Sequence, residues 1–143
     1  MSYIDTRETL LSELRKGLLS GTAFARELSA AMDDFVLALA KEKLGGDSGI
    51  ALIALGGYGR QELCPFSDID LMFLVPTNAD TETNAKIESF LYAIWDSGLK
   101  IGHSIRTIRD CLNMARDDLT VQTTLLDARL VGVGVFERVL TDV

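Results

Sequence analysis

The sequence predicts an α/β (α+β) domain, a small mixed sheet flanked by helices and preceded by two N-terminal helices. Three observations predict it. Apolar residues recur at helical spacing through the first 44 positions, short apolar runs follow at Ile50–Leu55 and Leu71–Val75, and an amphipathic stretch separates the second run from a third extended segment.

Thr6 to Leu19 carries Leu10, Leu11, Leu14 and Leu18 at three-to-four-residue spacing, which predicts a helix ended near Gly21. Thr22 is a cap candidate for a second helix reaching about Leu44, with Phe24, Leu28, Ala31, Phe35, Leu39 and Lys43 along one face. The cluster Gly45-Gly46-Asp47-Ser48-Gly49 reads as a loop. Ile50–Leu55 is continuously apolar, as a strand covered on both faces requires. A glycine-rich turn and a short helix over Gly59–Leu63 follow, stopped by Pro65.

Asp68–Val75 reads as a second strand, Asp80–Ser97 as a helix burying Ile87, Phe90, Leu91, Ile94 and Trp95, and Leu99–Thr107 as a third strand. Tyr92 is assigned to the same core. Two further helices are expected at Asp110–Arg116 and Leu119–Ala128, a short extended segment at Arg129–Val133, and the start of another helix over Gly134–Leu140. Residues 1–48 form a helical extension packed on the core, and residues 49–143 form the main domain, read as cut short at its C-terminus.

The chain has 143 residues, 48% hydrophobic and 24% charged, which suits one globular domain and argues against disorder. Its apolar runs are too short to span a membrane. The start, Met1-Ser2-Tyr3-Ile4-Asp5, has neither a basic leader nor an apolar signal core, so a cytoplasmic location is expected. Cys64 and Cys111 are read as two thiols in a reducing compartment, with a disulfide as the alternative. One histidine and two cysteines do not make a zinc site. The formal charge of −7, with no Lys/Arg tract, argues against a nucleic-acid backbone as partner but not against a nucleotide.

Gly56-Gly57 stands where a strand ends and a helix begins. Backbone there approaches a phosphate closely, and helix-start amides favour an anion; a plain strand-to-helix turn explains the pair as well. Asp68-Ile69-Asp70 places two carboxylates on one face of a strand, where a divalent cation relieves their repulsion. Mg²⁺ suits such oxygen ligands. A solvated acidic pair at a strand start is the plainer alternative. The two features gain force together: if their strands are neighbours, glycine amides and carboxylates share one end of the sheet.

In that order, Gly56-Gly57-Tyr58-Gly59-Arg60-Gln61-Glu62-Leu63-Cys64-Pro65-Phe66-Ser67-Asp68-Ile69-Asp70-Leu71 resembles the DNA-polymerase-beta-like nucleotidyltransferases. More narrowly it resembles the N-terminal catalytic domain of the bacterial PII uridylyltransferase/uridylyl-removing enzymes. Leu99–Thr107, Asp117–Thr120 and Leu126–Arg129 extend that resemblance over most of the chain after Ile50.

The resemblance implies transfer of UMP from UTP to a tyrosine of the PII nitrogen-signalling protein. It implies a magnesium-dependent, two-metal site with Asp68 and Asp70 as catalytic metal ligands. Gly56, Gly57, Arg60, Ser67 and Arg106 are the candidates for holding phosphate. Members of the family are longer, with an HD-type hydrolase domain and glutamine-sensing ACT domains, so this sequence reads as an excised domain or a short relative.

Arg60 and Arg106 suit phosphate by paired hydrogen bonds, and surface ion pairs with Glu62 or Asp110 suit them equally. Glu62 is read as a brace for Arg60, and Ser67 as a phosphate contact or turn cap. Tyr58 is assigned either to the nucleotide pocket or to an exposed turn. His103 is a candidate to act on a hydroxyl, with a structural role as the alternative. A third carboxylate, usual in the superfamily, is absent from Leu99–Thr107, and the sequence does not choose between Asp96 and Asp110. Open alternatives are another acceptor, protein or small-molecule hydroxyl, and a catalytically incomplete nucleotide-binding regulatory domain. A dinucleotide fold fails because Glu62 stands where the G-x-G-x-x-G fingerprint needs Gly or Ala.

Overall fold

The computed structural model describes residues 2–45, 49–66, 68–76, 81–117 and 127–132. The helices expected at Leu119–Ala128 and Gly134–Leu140 fall largely or wholly outside them, as does Ser67.

Helix α1, Tyr3–Arg15, begins earlier than its apolar spacing predicts because Ser2 caps it, accepting from the Asp5 amide at 3.1 Å. It also ends earlier, at Gly17 in the left-handed region (φ +73°), so Leu18 never reaches the core and stays exposed. Helix α2, Gly21–Lys43, is capped by Ser20 rather than Thr22, with the Ala23 amide donating to its hydroxyl at 3.1 Å.

The fully buried line of α2 is Phe24, Leu28, Met32, Val36 and Ala40, joined by Ser29. It is rotated from the predicted face because α2 is packed on two sides. Ala31, Phe35 and Leu39 are only partly buried. Phe35 meets Tyr3 of α1, with ring centroids 6.2 Å apart.

Strands β1 (Ala51–Leu55), β2 (Ile69–Leu74), β3 (Ile101–Arg106) and β4 (Arg129–Gly132) form one mixed sheet in the order β3-β2-β1-β4. The sheet gains its fourth strand from the short extended segment expected at Arg129. Strands β1 and β2 are antiparallel, with Leu55 opposite Asp70 and Ala51 opposite Leu74. Strands β2 and β3 are parallel, with Asp70 opposite Gly102 and Leu74 opposite Arg106, and β4 runs antiparallel to β1. Helix α4 (Thr81–Asp96) makes the crossover from β2 to β3, and α5 (Ile108–Asp117) follows β3.

Alternation along the strands sorts the sheet into two faces. Leu52, Ala54, Ile69, Leu71 and Phe73 join α1, α2 and α4 in one core, where Phe73 meets Phe90 edge-on at 5.5 Å. The N-terminal helices and the sheet therefore share a core. Ala51, Ile53, Met72, Leu74 and Cys111 form a smaller cluster on the other face. Tyr92 and Trp95, assigned to the core by their spacing, are 59% and 44% exposed. Helix α4 turns the Ile87, Phe90, Leu91 and Ile94 stripe to the sheet, and that leaves both aromatics on its outer side. No disulfide joins Cys64 and Cys111: the first lies on the surface and the second is buried.

Candidate nucleotidyl-transfer site

The glycine turn begins without a spacer. Leu55 is extended, Gly56 takes φ +58°, and the chain enters α3 (Gly56–Gly59) directly. The short helix therefore lies on the glycines, not on Gly59–Leu63 as expected. It closes with Gln61 in the left-handed region (φ +60°), the Gln61 amide donating to Tyr58 O at 3.1 Å and the Glu62 amide to Gly57 O at 2.8 Å. That pair of bonds is a Schellman ending, so the helix stops before Pro65 is reached.

The three glycines of the turn serve different ends. Gly56 needs its positive φ, and a Cβ there would stand 3.1 Å from Asp70 Oδ2. Gly59 lies against backbone oxygens of Ala54 and Asp127, where no Cβ fits. Gly57 has neither constraint: a Cβ would meet Glu62 O at 3.6 Å and Arg60 Nη2 at 3.8 Å, which are ordinary contacts.

Asp70 sits on the face of the sheet away from α1, α2 and α4, the face that carries Met72, Leu74 and Cys111 of α5. Its carboxylate lies between two glycines, Gly56 on β1's side and Gly102 on β3's, where a Cβ would come within 2.8 Å of Oδ1. Asp70 is exposed as a residue, but partial desolvation of its carboxylate, and then the charge of Asp68, raise its pKa above the ordinary aspartate value. Asp68 precedes the strand and is exposed. The two carboxylates thus form an oxygen-donor pair whose mutual repulsion a divalent cation would relieve, and the fit to Mg²⁺ is good on chemistry.

The other candidates are distributed unevenly. Arg60, 46% exposed, donates to Asp127 at 2.9 Å and to Glu62 at 3.3 Å, beside the turn. Arg106 is on Asp70's face but four residues along the strand from Gly102, roughly 13 Å away at ~3.3 Å per residue. Its guanidinium donates to Ile105 O at 3.2 Å. His103 pairs with Leu71, so it points to the opposite face from Asp70, and its ring meets Trp95 of α4 at 6.3 Å. The structure does not bring His103 to the carboxylates.

Neither acidic residue left open by the sequence joins them. Asp110 accepts from the Thr107 amide at 3.0 Å while its own amide donates to Thr107 Oγ1 at 3.0 Å, a reciprocal cap on α5. Those Thr107 bonds hold its pKa below the usual range. Asp96 ends α4, exposed. Among the described residues no group of three His, Cys, Asp or Glu side chains is placed to hold a metal.

Tyr58 is neither a pocket lining nor an exposed turn residue. It is 2% exposed and its hydroxyl donates to Asp33 Oδ1 of α2 at 2.6 Å. Burial, then the bond to Asp33, push its pKa far above the ordinary tyrosine value, so it remains a donor. Arg129 of β4 completes the group, with Nη1 to Asp33 Oδ2 at 2.8 Å, Nη2 to Asp33 Oδ1 at 3.1 Å and to Tyr58 O at 3.1 Å, and Nε to Gly59 O at 3.3 Å. Sequence reasoning passed over Asp33, Arg129 and Gly102. Only Gly102 had a local signal, as a glycine inside a strand.

Among the described residues, the four-stranded mixed sheet with its five helices is consistent with a small nucleotidyltransferase-type domain. No family model matches the chain. It is 42% identical over 146 residues to the bifunctional uridylyltransferase/uridylyl-removing enzyme of Gluconobacter oxydans (strain 621H), covering 88% of this chain and 15% of that protein. Proteins of the same name match from Chromobacterium violaceum, 47% identical over 110 residues (77% and 13% of the two chains), and Nitrosospira multiformis, 40% over 129 residues (85% and 14%). The matched segment belongs to the family of bifunctional uridylyltransferase/uridylyl-removing enzymes, and the chain spans about one seventh of the length of these relatives.

Proposed function

We propose that the chain is a nucleotidyltransferase domain that moves UMP from UTP to a tyrosine hydroxyl of the PII signalling protein and releases pyrophosphate. The observation that carries this reading is the Asp70 carboxylate held between Gly56 and Gly102, with Asp68 beside it. Asp68 and Asp70 would hold Mg²⁺, which when bound neutralises charge on the phosphate oxygens.

The turn supplies the rest of the grip. Gly57 has no structural reason to be glycine, so its bare backbone suits close approach by a phosphate, and first-turn amides have no acceptor within their helix. Arg60, half-exposed beside that turn, can exchange Asp127 or Glu62 for a phosphate oxygen. Ser67 and Arg106 remain candidates for phosphate contact, Arg106 only toward the far end of a bound nucleotide. In the reaction the acceptor's phenolic oxygen bonds to the α-phosphorus, the bond to the pyrophosphate oxygen breaks, and the phenolic proton leaves to solvent.

The homologues' names carry a second, uridylyl-removing activity, which the family resemblance implies would belong to an HD-type domain of a longer parent chain with ACT domains as glutamine sensors. Nitrogen regulation in the cytoplasm, where UTP is available, fits this reading. No helix among the described residues is long and apolar enough to cross a membrane.

One observation favours a second reading, a nucleotide-binding regulatory domain that does not catalyse: no third carboxylate joins Asp68 and Asp70 among the described residues. Incubation with labelled UTP or ATP, Mg²⁺ and PII protein separates the two. Labelling of a PII tyrosine from UTP alone, with pyrophosphate release, is the expected result. Mg²⁺-independent nucleotide binding without pyrophosphate release would replace it with the regulatory reading, and labelling of a different acceptor would move the substrate.

A further inference from the structure

The motif from Gly56 to Asp70 is tied to the N-terminal helices at four points. Tyr58 donates to Asp33 and the Leu63 amide donates to the buried Ser29 hydroxyl at 3.3 Å, both on α2. Arg7 of α1 donates to Pro65 O at 3.3 Å, and its guanidinium lies 4.8 Å from the centre of the Phe66 ring. From the other side Arg129 grips Asp33 with both ends of its fork while bonding the carbonyls of Tyr58 and Gly59. Its guanidinium also stacks over the Tyr58 ring, 5.2 Å from the centroid.

A four-residue helix has too few internal bonds to hold its own position. The Asp33–Arg129–Tyr58 group is three-quarters or more shielded from water at its two charged members, whose side chains are each 22% exposed. A bidentate pair in such a place has one low-energy geometry. Two of its bonds end on the backbone of the glycine turn itself, so the group sets where Gly56 and Gly57 stand relative to Asp70.

We propose that Asp33, Tyr58 and Arg129 are positioning residues for nucleotide binding, and that α2 is therefore part of the transfer site rather than an extension beside it. The proposal rests on the nucleotidyl-transfer reading for its kinetic consequence but not for its structural one. Two variants test it in the full chain. Tyr58→Phe removes one hydroxyl and keeps the buried ring. Arg129→Lys keeps the charge and loses the fork.

Hydrogen exchange at the Arg60, Gln61 and Glu62 amides, which close the turn, is expected to quicken about tenfold in both variants, with the β2 amides unchanged. The KM for the nucleoside triphosphate is expected to rise about fivefold to tenfold, with the KM for the acceptor protein within about twofold. A purely structural role would lower kcat in step with the folded fraction and leave the nucleotide KM unmoved, and that result overturns the proposal. Unchanged exchange at the turn overturns it also. If the parent chain shows no transfer at all, the functional reading fails, and nucleotide affinity measured by titration decides the proposal in place of KM.

Discussion

The two faces of strand β2 are built to different rules. Ile69, Leu71 and Phe73 point into the core shared with α1, α2 and α4, and each is at most 2% exposed. Asp70, Met72 and Leu74 alternate with them toward a thinner cluster, and at the end of that face the packing gives way to a carboxylate between two glycines. The first face is filled by side chains. The second is opened by their removal, at Gly56 and Gly102. A strand that buried Asp70's neighbours equally on both sides would leave no room for a ligand at the carboxylate.

The sharpest break between the faces comes from Asp70→Asn. Transfer should fall about a thousandfold or more, since the proposed metal site would lose a charged ligand, while the fold persists. Asp68→Asn should behave alike in the same assay. Activity retained in either variant would remove the site from this face.

The fold itself also responds to pH through Asp70. Its folded-state pKa is raised by burial and then by Asp68, so the folded protein binds this proton more tightly than the unfolded chain. In the absence of divalent cation, stability should therefore fall as pH rises from the ordinary aspartate value through the raised folded-state value. Denaturant titrations across that interval should show the slope in the parent chain and its loss in Asp70→Asn.

Gly59→Ala probes the turn where backbone meets backbone. Neither Ala54 nor Asp127 can yield a carbonyl oxygen, so about 3 kcal/mol of stability should be lost by chemical unfolding. Gly102→Ala differs, because the atom in its way is the end of the Asp70 side chain. That carboxylate can rotate. Stability should change by about 1 kcal/mol or less while transfer falls about tenfold to a hundredfold, a separation that equal losses would contradict. The smallest effect is expected on the helix-covered face: His103→Gln should leave kcat/KM within about twofold, because its ring faces Trp95. A larger loss would bring that face into the chemistry.

The elements readable from sequence were those coded within a few residues. The apolar run of β1, the start of β2 at Ile69-Asp70 and the Ile87, Phe90, Leu91 and Ile94 part of the α4 stripe lie where their spacing puts them, whereas Asp68 falls just before the strand and Trp95 turns outward. Errors came where a cap or a second packing partner intervened, as with Ser2 and Ser20 at the helix starts and the rotated face of α2. Tyr58 shows the same limit within the motif: its partners Asp33 and Arg129 lie 25 residues before it and far after it, and no local pattern joins them.

By itself the sequence determined that a glycine turn follows the first strand and that the carboxylate pair opens the next, because turn and strand geometry are set by neighbouring residues. It placed the short helix after the glycines, where the structure puts it on them. The tertiary structure alone decided which groups surround that pair. Pairing β2 with β1 and β3 put glycines on both sides of Asp70 and turned His103 away, and packing α2 and β4 around α3 bound the turn to Asp33 and Arg129. Those choices depend on register between distant segments, which only the closed core specifies.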